Sequence, residues 1–325
     1  MDIFNPVFWI FVATTGGIYT IMALGLYVQF SLAGLPNFGH VAFMAVAAYA
    51  MAILVARYGL PLPVGILGGL VAAVILAILV GVPALRLRAD YLAIATVAGG
   101  EIVRYLAMNL QGLTGGPIGS IGLLGPGKIA TFNGSWQVFM GDIAFYLKPI
   151  FGKYGRPDTA MAIVVWVFAF AAILVLWRME RSPWGRVMQG IREDDTAVAA
   201  IGKNVVGFKM QALIIGALLG AVSGMLLALQ IGVFSPDDYQ PTITFYAYLI
   251  IILGGMNRIW SVPVGAILFT LLYTGTRFLN VYPLTLFDSG ERAYLRLFLV
   301  GLLLVLFLAF RPQGIFGDRR QILEK

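Results

Sequence analysis

Two ionisable residues stand inside a mostly apolar run at 90–111: Glu101 and Arg104, three positions apart and therefore on one helix face. Charges at membrane depth are costly, so such residues either pair internally and fix the packing or line a polar route together with Thr96. The single histidine, His40, opens the run 37–56 within GLPNFGHVAF, near the cytoplasmic interface. A lone histidine there either hydrogen-bonds a backbone carbonyl or carries a proton. Arg277 and Arg296 are further charges within apolar runs, Arg277 near a helix end from which it can snorkel. The chemistry on offer is ion pairing, proton carriage or solute passage. Bond-making catalysis has little support, because no nucleophile–base pair is legible. The absence of cysteine removes disulfides, thiolate metal sites and cysteine nucleophiles, and one histidine removes a multi-histidine metal cage. GLLGPGK, residues 122–128, imitates a phosphate-binding loop, but Ile129 stands where Ser or Thr would hold magnesium and no buried strand precedes it. No nucleotide site and no cofactor is implied.

These residues must be positioned by membrane helices. The chain is 325 residues long, 60% hydrophobic and 11% charged, with mean hydropathy +0.90, against about a quarter charged in soluble domains. The expected fold is all-α, a polytopic integral membrane protein forming one domain over 1–325. A span takes about 20 apolar residues. Runs at 8–30, 37–56, 62–84, 90–111, 159–178, 208–230, 242–256, 262–281 and 292–310 predict about nine transmembrane or re-entrant helices, within a range of eight to ten. The seventh run is short and ends Leu253-Gly254-Gly255, as a broken or re-entrant segment would. Gly216, Gly220 and Gly224 recur every four residues, the spacing of a close helix–helix contact.

The formal charge of +7 could suggest nucleic acid. Its distribution argues instead for a bilayer, with Arg86, Arg88, Arg178, Arg181, Arg186, Arg192, Lys203, Lys209, Arg258, Arg311, Arg319, Arg320 and Lys325 on one side of a nine-span chain. The positive-inside rule makes that side cytoplasmic and puts the N-terminus outside. No basic segment precedes the first apolar run, so no cleavable signal peptide is expected. Residues 112–158, rich in glycine, form a long extracytoplasmic loop, either a docking platform or a lid. Its segment from Trp136 to Phe145 has a mixed character suited to lying along the membrane surface.

The most polar stretch, 181–203, reads as two short helices at an acidic corner. Ser182-Pro183 starts the first, Asp194 or Asp195 caps the second, and Gly202 supplies a left-handed stop. Such a knob is either a solvated loop or a docking element for a soluble partner.

Three stretches resemble the LivM-type permeases of ABC importers for branched-chain amino acids, with relatives serving urea and short amides. They are RADYLAIATVAGGEIVRYLAMNLQGLTGGPIG (88–119), RSPWGRVMQGIREDDTAVAAIGKNVVGFK (181–209) and FRPQGIFG (310–317). Asp90, Asn37-Phe38 and Asn257 to Trp260 depart from the family pattern, which makes substrate choice less defined.

The resemblance implies a permease subunit in the bacterial inner membrane, not an enzyme. Its partners would be a homologous second permease, two ATPase subunits, an extracytoplasmic substrate-binding protein and the lipid bilayer. It assigns Arg192, Glu193, Asp194, Asp195, Ala199 and Gly202 to ATPase coupling, the acids offering acceptors to basic groups of the partner. Thr114, Gly115 and Gly116, with Asp237 and Asp238, would meet the binding protein. Thr96, Glu101, Arg104 and His40 would border the translocation pathway. The alternatives are a urea or short-amide importer, or a proton-coupled transporter using Glu101 and His40.

Overall fold

The computed structural model describes residues 6–124, 131–256 and 258–278, with residues 295, 298, 301–302, 305–306 and 315–316. Among the described residues the regular elements are helical. Helix α1 (Pro6–Tyr27) runs on through a π-helical turn, Val28–Leu32. Gly34, at φ +67°, then reverses the chain in a conformation that side chains other than glycine resist. Helix α2 (Val41–Ala52) also ends in a π-helical turn, Ile53–Arg57. Helices α3 (Leu62–Ala84) and α4 (Ala89–Asn109) follow, then a single turn α5 (Gln111–Thr114) and a 3-10 stretch at Gly116–Leu124. Beyond lie α6 (Gly134–Phe151), α7 (Pro157–Glu180), α8 (Pro183–Glu193), α9 (Asp195–Ala200) and α10 (Val205–Ile231). A 3-10 turn at Pro236–Tyr239 leads to α11 (Thr242–Gly254) and α12 (Ser261–Phe278).

Among the described residues five helices are long and apolar enough to cross a membrane: Pro6–Leu32, Leu62–Ala84, Asp90–Asn109, Pro157–Glu180 and Val205–Ile231. The expected runs 37–56 and 262–281 fall on shorter apolar helices, Val41–Arg57 and Ser261–Thr274. The run 242–256 becomes α11, of 13 residues. At 1.5 Å per residue that is about 20 Å, short of the ~30 Å hydrocarbon core. The run 292–310 lies almost wholly outside the described residues, as do Arg296 and most of FRPQGIFG; the side chain of Arg277 is also outside them. Of that tail, the backbone N–H groups of Ile315 and Phe316 donate to the carbonyls of Leu253 and Gly254 (3.0 and 3.1 Å), so it closes over the end of α11.

Burial ranks the helices. In α1 and α10 72% of the apolar window is inside the protein, against 28% in α3 and 22% in α4. Helices α1 and α10 therefore form the centre, with α7, α11 and α12 against α1 and α2 and α3 against α10. The outer helix α3 shows how a membrane helix packs without a hydrophobic driving force. It buries Gly65, Gly69, Ala73, Ala77 and Gly81, one small residue per turn, and turns Leu67, Val71, Ile75 and Leu79 outward.

The glycines of α10 allow close approaches to the neighbouring segments. A Cβ on Gly216 would overlap the Gln29 amide, one on Gly220 would lie 3.1 Å from the His40 ring, and one on Gly224 would overlap the Met44 backbone. Backbone cannot move aside as a side chain can. Gly224→Ala is therefore expected to destabilise the protein by about 1–3 kcal/mol. Gly141→Ala, where nothing lies within 4 Å, should leave the thermal transition in detergent unchanged or slightly raised.

Candidate functional site

A knot of buried polar groups sits at the centre. Gln29, in the π-helical turn after α1, donates from Nε2 to the Leu213 carbonyl of α10 (3.1 Å). Its Oε1 accepts from Asn37 Nδ2 (2.9 Å) and lies 3.3 Å from His40 Nδ1. Asn37 Oδ1 accepts from the Gly39 N–H (2.9 Å), and Thr96 Oγ1 on α4 accepts from the Phe38 N–H (3.1 Å). Thr244 Oγ1, at the start of α11, accepts from the Val41 N–H at the start of α2 (3.0 Å). Gln29, His40 and Thr244 are fully buried. The N–H groups of Phe38, Gly39 and Val41 are thus satisfied by side chains, which lets α2 begin inside the bundle, as backbone at membrane depth requires.

His40 therefore does not lie near an interface. Its ring is held between Gly25 of α1 and Gly220, midway along α10. Phe38 stacks on Tyr248 (centroids 4.5 Å apart), and Phe30 meets Tyr248 edge-on (5.0 Å), binding α11 to the 33–40 link.

Toward the other end of α4, Arg104 donates to Glu101 (Nη2 to Oε2, 2.7 Å) and also to Asp237 (Nη1 to Oδ1, 3.0 Å). The structure thus joins a residue expected on the pathway to one expected on a docking surface, and separates Glu101 and Arg104 from His40 and Thr96. Asp238 is engaged locally, its Oδ2 accepting from Ser235 N–H (2.7 Å) and Oγ (3.1 Å). The Thr114-Gly115-Gly116 loop is equally built in. Thr114 Oγ1 donates to the Ala107 carbonyl (2.6 Å), and Gly115, Gly116 and Gly119 all have positive φ. Ser120 and Phe234 exchange two hydrogen bonds, 2.8 and 2.9 Å, which fastens this loop to the turn carrying Asp237. Arg57 adds a hydrogen bond to the Gly112 carbonyl.

The polar stretch 181–203 folds as two short helices. Asp194 Oδ1 caps α9, accepting from Thr196 N–H (2.9 Å), Thr196 Oγ1 (2.6 Å) and Ala197 N–H (3.1 Å). Those bonds, the Thr196 hydroxyl first, hold the Asp194 carboxyl below the usual carboxylate range. Gly202 has φ +81°, the left-handed stop expected there. Ser182 does not cap α8; its hydroxyl donates to the Met179 carbonyl (2.6 Å), tightening the corner after α7. The acids expected as free acceptors are partly committed. Asp195 pairs with Lys209 at the start of α10 (2.8 Å), and Arg192 donates to the Ser31 carbonyl (2.7 Å) at the end of α1. Glu193, Ala199 and Ile201 are exposed, Ile201 at 73%. The knob is thus a rigid body tied to the two central helices, with an exposed tip.

A cavity of about 630 Å³ opens between the starts of α1 and α7, the end of α10 and α6, with Phe8, Phe11, Met140, Asp158 and Leu229 in its wall. It holds none of the expected site residues. Among the described residues no group of three or more His, Cys, Asp or Glu is placed to hold a metal ion. Periodicity overlooked Gln29 and Thr244, yet each is a polar residue within an apolar run, which is the signal that finds them.

Long apolar helices, a short helix starting in the interior and a polar two-helix projection define a multi-pass membrane protein. The family described as "Branched-chain amino acid transport system / permease component" matches residues 8–308, and the chain belongs to it. The chain is 33% identical over 322 residues to the high-affinity branched-chain amino acid transport system permease protein LivM of Salmonella typhimurium, covering 95% of this chain and 70% of the relative. It is 24% identical to the probable branched-chain amino acid transport permease protein LivM of Methanocaldococcus jannaschii (93% and 91% covered). It is also 24% identical to the corresponding permease protein LivH of Escherichia coli K12 (94% and 92%). No solved structure matches the chain. As a permease of this family it is a transport subunit and not an enzyme.

Two outcomes follow from the bonds around these residues. Gln29→Leu strands buried partners on Asn37 and Leu213, at about 1–3 kcal/mol for each group left unpaired, measurable as a lowered thermal transition in detergent. Asp194→Ala should speed amide exchange at Thr196 and Ala197 several-fold, whereas Asp194→Ser should largely preserve protection. Because the folded carboxyl has the lower pKa, its contribution is present above the unfolded pKa and is lost as pH falls through the folded value. Protection at these two amides should thus persist to pH below the usual carboxylate range.

Proposed function

We propose that the chain is the permease subunit of an ATP-driven, binding-protein-dependent importer of branched-chain or other amino acids in a bacterial inner membrane. It works beside a homologous second permease, with ATP hydrolysis on two separate subunits. The observation that carries the proposal is the knob: a rigid, exposed pair of helices bonded to both central helices, in a chain similar to LivM over 95% of its length. The likeness to LivH as well as LivM supports a paired permease, because two such chains occur as separate subunits of named amino acid transport systems.

On this reading the knob and the ends of α3 and α7 face the cytoplasm, with the N-terminus outside. The basic residues near the knob support that orientation. Closure of the ATPase pair presses on the tip formed by Glu193, Ala199, Ile201 and Gly202. Arg192 carries the displacement to Ser31 and α1, and Asp195 carries it to Lys209 and α10; Asp194 keeps α9 helical under load. Glu101 and Arg104 border the solute route, and Thr96 and His40 set the start of α2 beside it. At the outer face the exposed Asp237 and Asp238 receive the binding protein, on a surface whose shape the buried Thr114, Gly115 and Gly116 set from beneath. Because Arg104 also holds Asp237, docking there acts on the charged lining. A loaded binding protein shifts the outward–inward equilibrium by its differential affinity for the two states.

Ile201→Asp and Glu193→Arg alter the exposed tip without touching the cap, the Asp195–Lys209 ion pair or the Arg192–Ser31 hydrogen bond. In proteoliposomes holding the assembled importer, each should cut ATP-dependent uptake about tenfold, a difference near 1.4 kcal/mol in coupling, and weaken ATPase co-purification. Full uptake with undiminished co-purification would refute the proposal. The chain alone under an imposed proton gradient should take up no amino acid; uptake there would favour an ion-coupled carrier.

A further inference from the structure

Helix α6 has both ends at the same end of the bundle. Helices α1 and α7 run parallel, since Trp166 Nε1 donates to the Ala13 carbonyl (2.9 Å) and Tyr27 reaches Glu180 (3.4 Å). Helix α10 runs antiparallel to them, with Gly216 beside Gly25 and Leu229 sharing a cavity with Phe8 and Asp158. The residue before α6, Asn133, lies against Gly232, just beyond the end of α10. The other end folds under Gly155, whose added Cβ would come 2.7 Å from Lys148 Cα, two residues before α7 begins. An 18-residue helix is about 27 Å long. With both ends on one side it lies across the bundle end, and it is absent from the helices apolar enough to cross.

Its faces divide by helical spacing. Trp136, Met140 and Ala144, four residues apart, are buried against the bundle. Phe139, Tyr146 and Ile150, spaced by seven and four, form one flank and are 50%, 76% and 75% exposed. Gln137 and Lys148, eleven apart, form the opposite flank and are exposed. Lys148, Lys153 and Arg156 then gather at the corner into α7 and are all exposed, with Lys153 Nζ 5.1 Å from the Tyr154 ring centroid. Of the nearby acids, Asp158 sits in the first turn of α7, where the helix dipole favours it. Asp142 lies more than a turn before Lys148.

We infer that α6 is an interfacial helix that inserts its Phe139–Tyr146–Ile150 flank into the lipid boundary and binds anionic phospholipid headgroups through Lys148, Lys153 and Arg156. Val138 and Phe145 are exposed as well (66% and 69%), beside Asp142 on the outward face. Helix α6 thus has one buried face, a mainly apolar exposed side and one polar edge, which matches the lipid–water boundary, and cations at its end match a phosphate-bearing headgroup. The occupant is lipid because α6 and its exposed apolar residues lie at the ends of the long apolar helices α1, α7 and α10, where the surface of a bilayer must fall. The cations supply the complementary charge.

The absence of cysteine makes single-cysteine labelling clean. The full chain carrying a nitroxide at Tyr146→Cys, Ile150→Cys or Gln137→Cys is placed in vesicles of phosphatidylcholine, with or without phosphatidylglycerol. The labels at 146 and 150 should be several-fold more open to oxygen than to a water-soluble nickel chelate, and the label at 137 should show the reverse. Equal access to the chelate at all three positions would overturn the insertion. So would shielding of 146 and 150 from both reagents, which would mean a protein cover. Native mass spectrometry should show phosphatidylglycerol retention falling several-fold in the triple variant Lys148→Gln, Lys153→Gln, Arg156→Gln. Unchanged retention in a variant with an unchanged thermal transition would overturn the headgroup site.

Discussion

The close approach of α1 to α10 is the constraint on which the other features depend. Lipid offers little hydrophobic reason for helices to associate, so the bundle is held by packing and by hydrogen bonds that water cannot compete for. Gly25 and Gly216 leave room between α1 and α10, and Gly220 and Gly224 between α10 and the start of α2, where a methyl group would meet backbone, amide or ring atoms. Into that room fit Gln29, which bonds α10, and His40, which fixes the start of α2. Fill the space and the polar knot has nowhere to go.

This arrangement explains a helix that looks too short. Helix α2 starts in the interior because Thr96, Asn37 and Thr244 accept from the backbone N–H groups of Phe38, Gly39 and Val41, Thr244 reaching across from the first turn of α11. Without those partners a helix start at that depth would cost several kcal/mol.

The two polar ends of the protein are mechanically joined to the same centre. At one end Arg192 and Lys209 fasten the knob to α1 and α10; at the other Arg104 holds Asp237, next to the turn that Ser120 fastens to Phe234. The Arg104–Asp237 pair is about 1 kcal/mol or less by itself, since Asp237 is 62% exposed. The fixed bonds lie deeper, in the knot.

Much of this was legible in order of residues. The apolar runs marked the helices, Glu101 and Arg104 declared their pairing by spacing, Asp194 and Gly202 announced the ends of α9, and the Thr-Gly-Gly, knob and tail stretches resembled a permease family. All of these are local: a cap, a turn or an i,i+3 pair is satisfied within a few residues. What the chain order could not contain was which distant partner each polar group would take. Arg104 reaching Asp237, Arg192 reaching Ser31, Asp195 reaching Lys209 and His40 seated beside Gly220 are choices between groups far apart in sequence. Only the tertiary structure decided them, because a buried polar group bonds whatever packing brings within about 3 Å, and that is set by helix contacts that periodicity does not encode.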